Sequence, residues 1–174
     1  MVKFLSIEDD VVSGTYRFKE YNEKYMGSLV VGPDGNIIVR EDGCIKADKV
    51  PAGFLKLSRK AVDKFAMAYP ELLFGSPMSP ALDMFNHGTI DNIWHGEDYA
   101  FSKRWNEKCG DIWLVPDLDI SHHRGDVEFK GNFHKYLKAY NKPVPIDSNP
   151  LVSIIIPAYN YAEYIGDAIE SALS

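Results

Sequence analysis

The sequence predicts an α/β fold, because segments typical of buried strands alternate with segments typical of amphipathic helices. The clearest strand is the near-continuous apolar run over residues 151–157, a pattern typical of a parallel strand buried on both faces. The clearest helix covers residues 58–69, where apolar side chains recur every three to four positions. We therefore expect a sheet that is covered by helices.

Composition narrows the class of protein. The chain has 174 residues, 45% of them apolar, so it can bury a core without disulfides. Its net charge is −6 and its basic residues do not cluster, so the pattern of a nucleic-acid-binding protein is absent. Cys44 and Cys109 form no metal-binding spacing, which favours a reducing compartment. Neither a transmembrane run nor a secretion signal is indicated, so we expect a cytoplasmic protein, either free or peripheral to a membrane.

The first 70 residues predict short strands and one helix. A buried strand is expected over residues 11–16, and a β-hairpin over residues 29–39, where Pro-Asp-Gly-Asn separates two β-branched runs. Ser58 is the expected N-cap of the helix over residues 58–69, which Pro70 ends.

The middle of the chain predicts a loop, a second helix and a strand. Residues 71–95 are rich in Pro, Gly, Ser and Asn, which predicts a long irregular loop of the kind that often carries function. The second helix begins at Glu97 and Asp98 and ends before Gly110. A strand over residues 111–116 follows it.

A domain boundary is expected near residue 150. Residues 138–150 carry three prolines and predict a stiff linker. Residues 151–174 predict one β-α unit whose strand and helix both need a partner. This unit is expected to fold back on the first part of the chain, to swap into a second copy, or to mediate a homo-oligomer.

The terminal segment VSIIIPAYNYAEYIGDAIESALS resembles the opening of family 2 glycosyltransferases, which are nucleotide-sugar transferases with the GT-A fold. In that family the first strand ends in a Pro-x-Tyr-Asn turn against the base and ribose of the nucleotide. The resemblance implies a nucleotide-binding role for Pro157, Ala158, Tyr159 and Asn160.

Residues 50–135 resemble the acceptor half of another GT-A glycosyltransferase. The matching stretches are Gly-Phe-Leu from Gly53, GEDYAFSKRW from Gly96, and WLVPD from Trp113. The resemblance implies a partial GT-A fold, with a Rossmann-like mixed sheet and flanking helices. Residues 1–137 would be the acceptor and catalytic-base half of one domain, and residues 151–174 would begin a second domain.

The Glu-Asp pair that opens the second helix is the candidate catalytic group. In related enzymes the aspartate of such a pair removes the proton of the acceptor hydroxyl, which implies that Asp98 is the general base and that Glu97 orients the site. A helix N-terminus favours a carboxylate and would keep Asp98 ionised, although acidic residues are common in the first turn of any helix. The same resemblance implies acceptor contacts at four further positions, namely Gly53, Trp94, His95 and Gly96; His95 could equally well pack in the structure.

The resemblance also implies a divalent metal under the diphosphate, with His122 as a ligand and His123 as the alternative one position on. Imidazole favours Mn²⁺ over Mg²⁺. The Asp-x-Asp element that holds this metal in such enzymes is not found in place, because Asp117-Leu118-Asp119 lies downstream of the Glu-Asp pair. We therefore expect a weakly held metal and a chain that is inactive by itself.

Two functions follow from these observations. The first is glycosyl transfer from a nucleotide-diphosphate sugar to a hydroxyl acceptor such as a saccharide. The alternative is a non-catalytic module that binds a saccharide or a protein through its aromatic residues, namely Phe85, Trp94, Tyr99 and Trp105.

Overall fold

The computed structural model describes residues 2–140, and the side chains of residues 4–139. Contacts divide the chain into two units, residues 1–140 and residues 141–174. The expected strand and helix of residues 151–174, their strand swap, most of the linker, and the nucleotide contacts at Pro157 to Asn160 lie outside the described residues.

Short strands and four helices make up the described part of the chain. In chain order they are α1 (Val2–Ser6), β1 (Val11–Ser13), β2 (Ser28–Leu29), β3 (Ile45–Lys49), β4 (Leu55–Leu57), α2 (Arg59–Ala68), β5 (Leu73–Ser76), β6 (Ser79–Leu82), β7 (Gly88–Ile90), β8 (Ile93–His95), α3 (Glu97–Lys108), β9 (Ile112–Leu114), β10 (Asp119–Arg124), β11 (Val127–Asn132) and α4 (Phe133–Tyr140). Single 3₁₀ turns over Ala52–Phe54 and Pro70–Leu72 precede β4 and β5.

Five of these strands form one mixed sheet in the order β2-β3-β9-β1-β4. Strands β1 and β9 are parallel, and every other neighbouring pair in this sheet is antiparallel. The remaining strands form three two-stranded hairpins, β5–β6, β7–β8 and β10–β11. The mixed α/β class that the sequence predicts is therefore confirmed.

Both faces of the central sheet are covered. Val11 packs on one face in a core that includes Phe65 of α2 and Phe101 of α3. Val12 packs on the opposite face in a smaller cluster with Phe4 and Val115. This alternation follows from the two-residue period of a strand, and it explains why the consecutive residues Val11 and Val12 are both apolar.

The two helices predicted from apolar periodicity are confirmed. Ser58 caps α2, its side chain accepting a hydrogen bond from the N–H of Ala61, and Pro70 begins a 3₁₀ turn after Tyr69. Helix α3 begins at Glu97 and ends at Lys108. The strands predicted over residues 11–16 and 111–116 are present but cover three residues each.

The hairpin predicted over residues 29–39 is only partly correct. The turn forms, with the N–H of Gly32 donating to the carbonyl of Asn36 at 2.8 Å. Leu29, however, pairs with Ala47 of β3 instead of continuing a ladder with the residues after the turn. Pairing with β3 prevails because β3 is buried in the core, whereas Val31 and Val39 beside the turn stay exposed.

The irregular loop predicted over residues 71–95 is wrong, because these residues form the hairpins β5–β6 and β7–β8. The turn of the second hairpin is Asp91-Asn92, with φ of 50° and 63°. Both residues lie in the left-handed region that a tight hairpin turn requires, and Asp and Asn tolerate it better than other side chains. The polar residues that suggested a loop are therefore turn residues between short strands.

None of the helices in residues 2–140 is sufficiently long and apolar to cross a membrane.

Candidate functional site

Asp98 lies in the first turn of α3 and is half-buried. Its Oδ2 accepts a hydrogen bond from the backbone N–H of Ala52 at 3.0 Å. Within residues 2–140 its other carboxylate oxygen has no protein donor. Gly96 is the N-cap of the helix and provides no side-chain cap. One carboxylate oxygen is thus fixed, and the other is available to accept a hydrogen bond.

The loop that holds Asp98 is itself attached to α3. The backbone N–H of Val50 donates to the hydroxyl of Ser102 at 3.1 Å, and that hydroxyl donates to the carbonyl of Asp98 at 2.8 Å. Ser102 is fully buried on the second turn of the helix. These bonds set the position of Ala52 over the helix N-terminus and hence the orientation of the Asp98 carboxylate.

Tyr16 joins this loop from the other side. Its hydroxyl accepts a hydrogen bond from the N–H of Gly53 at 3.2 Å. A Cβ at Gly53 would lie 2.3 Å from that hydroxyl oxygen, so glycine is required for the close approach. Burial raises the pKa of the Tyr16 phenol, the Gly53 N–H opposes this change, and the charge of Asp98 adds to the increase. The phenol therefore stays protonated beside the Asp98 carboxylate.

His122 of β10 reaches the same region through Tyr16. The two rings meet edge to face with centroids 4.7 Å apart, and the Nδ1 of His122 lies 2.8 Å from the carbonyl oxygen of Arg17. A carbonyl only accepts, so Nδ1 carries a proton, and in the neutral tautomer that has this proton the lone pair lies on Nε2. This is the arrangement in which a histidine commonly binds a metal.

His123, the alternative ligand, has different surroundings. Its side chain is 60% exposed, and its Nε2 lies 3.9 Å from a carboxylate oxygen of Glu128 on the neighbouring strand. Because side chains alternate along a strand, His122 and His123 project from opposite faces of the β10–β11 hairpin. Only His122 contacts Tyr16 and the candidate site.

A divalent metal does not fit the described residues by themselves. Within residues 2–140, no group of three His, Cys, Asp or Glu side chains is arranged to hold one. Asp117 and Asp119 each accept a hydrogen bond from the side-chain amide of Asn132 at 3.1 Å, at the start of α4. The Asp-Leu-Asp sequence thus bonds to the end of β11, and His122 offers one ligand.

An open pocket of about 360 Å³ lies beside Asp98, and we call it the Asp98 pocket. Glu97 and Asp98 form its acidic side, and Gly96 lies at its edge. Its remaining lining residues are Phe18, Met26 and Tyr99. The Tyr99 hydroxyl accepts a hydrogen bond from the N–H of Gly27 at 3.1 Å, which attaches the Phe18–Met26 segment to α3. The pocket therefore combines a carboxylate with an apolar wall.

Three of the four predicted acceptor contacts, namely Gly53, Trp94 and His95, do not line the Asp98 pocket. Trp94 on β8 is 67% exposed, and its ring centroid lies 6.1 Å from that of His87. His95 is 7% exposed, and its Nε2 has no hydrogen-bond partner in the described part of the chain. The structure instead groups Gly53, Gly96, Glu97 and Asp98, with His122 joined to them by Tyr16.

The site residues that the sequence analysis missed are Tyr16, Phe18 and Met26, whereas it named Tyr99 only for the alternative binding function. Tyr16 follows the buried strand β1, and ligands in α/β sheets commonly bind beyond the carboxyl ends of strands, so its position was a usable signal. Phe18 and Met26 had no such signal. Their roles follow from a turn that pairs the N–H of Met26 with the carbonyl of Tyr16 at 3.0 Å.

Comparison with known proteins gives one partial similarity. The chain is 33% identical over 102 residues to the chondroitin synthase of Pasteurella multocida (strain Pm70). This alignment covers 48% of the chain and 10% of that protein, so the chain spans about a tenth of the length of this relative. No family model matches the chain, and no solved structure matches it.

Proposed function

We propose that this chain takes part in glycosyl transfer and carries the acceptor side of a GT-A-like glycosyltransferase. The partial similarity to chondroitin synthase, a glycosyltransferase, supports this class of enzyme. The Asp98 carboxylate, held by a backbone N–H at the edge of an open pocket, is the observation that supports the acceptor side. The acceptor is a saccharide or another molecule with a free hydroxyl, and the donor is a nucleotide-diphosphate sugar.

In this proposal Asp98 is the general base. The acceptor hydroxyl enters the Asp98 pocket and donates to the free carboxylate oxygen. As its oxygen bonds to the anomeric carbon of the donor sugar, the bond from that carbon to the diphosphate breaks and the proton passes to Asp98. Glu97, exposed on the same turn, orients the acceptor.

The donor side draws on further proposed residues. We assign His122 as one ligand of a Mn²⁺ or Mg²⁺ ion whose other ligands lie outside residues 2–140. Such an ion would neutralise charge on the diphosphate. Separately, Pro157 to Asn160 are the proposed nucleotide contacts of the second domain, which residues 151–174 would begin. With one ligand in the described part, the metal is weakly held, and the chain alone should turn over little or no donor.

A second candidate function is sugar or protein binding without catalysis. Its support is Trp94, which is 67% exposed on β8. The four aromatic residues of this alternative do not form one surface, however. Trp105 is 1% exposed in the core, and the Phe85 ring packs against Phe101 with centroids 5.0 Å apart.

The test is an NMR titration of the 174-residue chain with a chondroitin hexasaccharide, using amide signals to locate the bound sugar. We expect Asp98→Asn to weaken binding about tenfold, because a hydrogen bond to a charged group contributes about 1.5–3 kcal/mol. Asp63→Asn, an exposed carboxylate on α2, is the matched control and should have no effect. Loss of binding in Trp94→Ala but not in Asp98→Asn would favour the second function.

A transfer assay with Mn²⁺, UDP- and GDP-sugars and the same acceptor completes the test. We expect turnover near background for the chain alone. High turnover in the chain would contradict its proposed inactivity, and high turnover that persists in Asp98→Asn would contradict the role of Asp98 as base.

A further inference from the structure

A second cavity, of about 380 Å³, adjoins the Asp98 pocket. It shares Phe18 and Met26 with that pocket and extends away from Asp98 toward α4. We call it the Tyr25 pocket; its lining includes Lys24, Tyr25, Ser28, Leu29, Leu114 and Phe133. The two cavities are therefore neighbours along one surface and are separated by two side chains.

The segment between the cavities is fixed by backbone hydrogen bonds. The N–H of Phe18 donates to the carbonyl of Lys24 at 3.0 Å, and the N–H of Met26 donates to the carbonyl of Tyr16 at 3.0 Å. The N–H of Gly27 donates to the Tyr99 hydroxyl at 3.1 Å. Both cavities are thus formed before a ligand binds, which lowers the entropic cost of occupying them.

The Tyr25 pocket has an apolar floor and a polar rim. Leu114 and Phe133 are buried at its floor, and the ring of Tyr25 packs against Phe133 with centroids 5.0 Å apart. Exposed Lys24 and Ser28 add an ammonium group and a hydroxyl at the edge. Apolar and aromatic walls with few polar groups suit a ligand with one apolar face and one hydroxyl-bearing edge, which describes a sugar ring.

Size favours a chain of sugars over a single sugar. Each cavity lies at the lower end of the range for small-molecule sites, about 300–1,000 Å³, and the two together lie within it. A ligand that donates a hydroxyl to Asp98 and extends past Phe18 and Met26 would place its next units in the Tyr25 pocket. An oligosaccharide has this length and this repeating chemistry.

We propose, on the basis of the glycosyl transfer proposed above, that the Tyr25 pocket is a second acceptor subsite, which binds the sugar units next to the one facing Asp98. The acceptor is then an oligosaccharide rather than a monosaccharide. Occupation of both cavities adds contact area without a second loss of translational freedom, so affinity rises with acceptor length.

The experiment measures binding of oligosaccharides of increasing length to the full 174-residue chain by calorimetry. The probes are chondroitin di-, tetra- and hexasaccharides, together with a neutral ladder of cello-oligosaccharides of two, four and six units. We expect at least one ladder to show an affinity gain of tenfold or more between two and four units. Equal affinity at all lengths in both ladders would overturn the subsite.

A variant that blocks the Tyr25 pocket tests whether the increase in affinity with oligosaccharide length arises there. Ser28→Trp places a large ring in the Tyr25 pocket from an exposed position, and Asn22→Trp, exposed on the same segment and outside both cavities, is the control. Ser28→Trp should abolish the gain with length and leave disaccharide affinity unchanged, whereas Asn22→Trp should preserve both. A length gain that survives Ser28→Trp, with the fold confirmed by circular dichroism, would overturn the assignment to this pocket.

Asp98→Asn separates this inference from the function on which it rests. That variant should lower the binding affinity of every oligosaccharide by a similar factor, because it acts on the first sugar unit alone. An unchanged affinity in Asp98→Asn counts against the proposed function, whereas an absent length dependence counts against the second subsite. If no length in either ladder binds, both proposals fail.

Discussion

The Asp98 carboxylate is oriented by neutral backbone groups. The N–H of Ala52 binds Oδ2, and within residues 2–140 no cation forms an ion pair with Asp98. A neutral N–H fixes a carboxylate without cancelling its charge.

Only part of this arrangement could be predicted from the sequence. Glu97 and Asp98 could be assigned to a helix N-terminus because capping and apolar spacing are local signals. The contacts of Tyr16 could not, since Gly53 lies 37 positions along the chain from it. The Nδ1 contact of His122 spans 105 positions. Such contacts depend on the order of strands in the sheet, which a single sequence does not reveal.

The first residue-scale prediction concerns His122 and uses Mn²⁺ as a paramagnetic probe. We expect Mn²⁺ to broaden NMR signals around His122 and Arg17, because the lone pair on the Nε2 of His122 is available. His122→Ala should abolish this broadening, and His123→Ala should preserve it. If the broadening instead centres on Asp117 and Asp119 and persists in His122→Ala, His122 is not a ligand.

At the scale of elements, α2 shows how a single side chain sets a helix boundary. The Ser58 hydroxyl accepts from the N–H of Ala61 at 2.9 Å and donates to a carboxylate oxygen of Asp10 at 2.8 Å. It therefore caps the helix and also joins it to the residue before β1. The Ser58 prediction succeeded because an N-cap is encoded within four residues of sequence.

Ser58→Ala should lower the free energy of unfolding by about 1 kcal/mol, the usual cost of losing an N-cap, in urea denaturation. Ser58→Thr, which keeps the hydroxyl, should stay within a few tenths of wild type. Ser58→Asp should also destabilise the protein, although Asp is usually a good cap, because its carboxylate would face that of Asp10. If Ser58→Ala leaves the free energy of unfolding unchanged, the cap does not contribute to stability.

The hairpins between α2 and α3 show where element prediction failed. The left-handed pair Asp91-Asn92 closes β7–β8 without glycine, so the turn lacked the Gly signal that the expected hairpin over residues 29–39 carried. Conversely, the turn after Gly32 forms and Val31 bridges Ile37 across it, but Leu29 pairs with Ala47 of β3. The turn residues identify a turn, whereas the burial of neighbouring strands decides how the segments on either side of the turn pair.

At the scale of the whole molecule, the parallel pair β1–β9 explains how distant residues reach one site. Strand β1 leads to Tyr16, and β9 leads to the β10–β11 hairpin that carries His122. Parallel strands end at the same edge of a sheet, so the segments that follow them converge there. Helix α3 packs in the same core, and its N-terminus places Asp98 close enough to Tyr16 for its charge to act on the phenol.

Acid stability tests a second feature of the whole fold, the cluster that fixes the turn before β3. Arg40 pairs with Asp42 at 2.7 Å and with Asp9 at 2.6 Å, and its guanidinium lies 4.4 Å from the centroid of the Trp113 ring. The hydrogen bond from Arg40, supported by the N–H of Cys44, holds the pKa of Asp42 well below its usual value. A lowered pKa contributes stability above about pH 4, the unfolded value, and this contribution is lost as the pH falls further.

Arg40→Gln should therefore lower the free energy of unfolding more at pH 7 than at pH 3, as measured by urea denaturation at both values. Arg59→Gln removes an exposed ion pair with Asp63. It should change the free energy of unfolding only slightly, and by nearly the same amount at the two pH values. The same loss at pH 7 and pH 3 in Arg40→Gln would indicate that Arg40 acts through its packing on Trp113 alone.

The most direct test of the proposed acceptor site is the ¹³C NMR signal of the Asp98 carboxyl carbon during titration with a chondroitin hexasaccharide. An acceptor hydroxyl that donates to the free Asp98 oxygen should shift this signal in a saturable way, while the carboxyl signal of Asp63 on α2 stays constant. If the hexasaccharide binds and shifts the signals of Trp94 and its hairpin while the Asp98 carboxyl signal stays unchanged, the acceptor does not bind at Asp98.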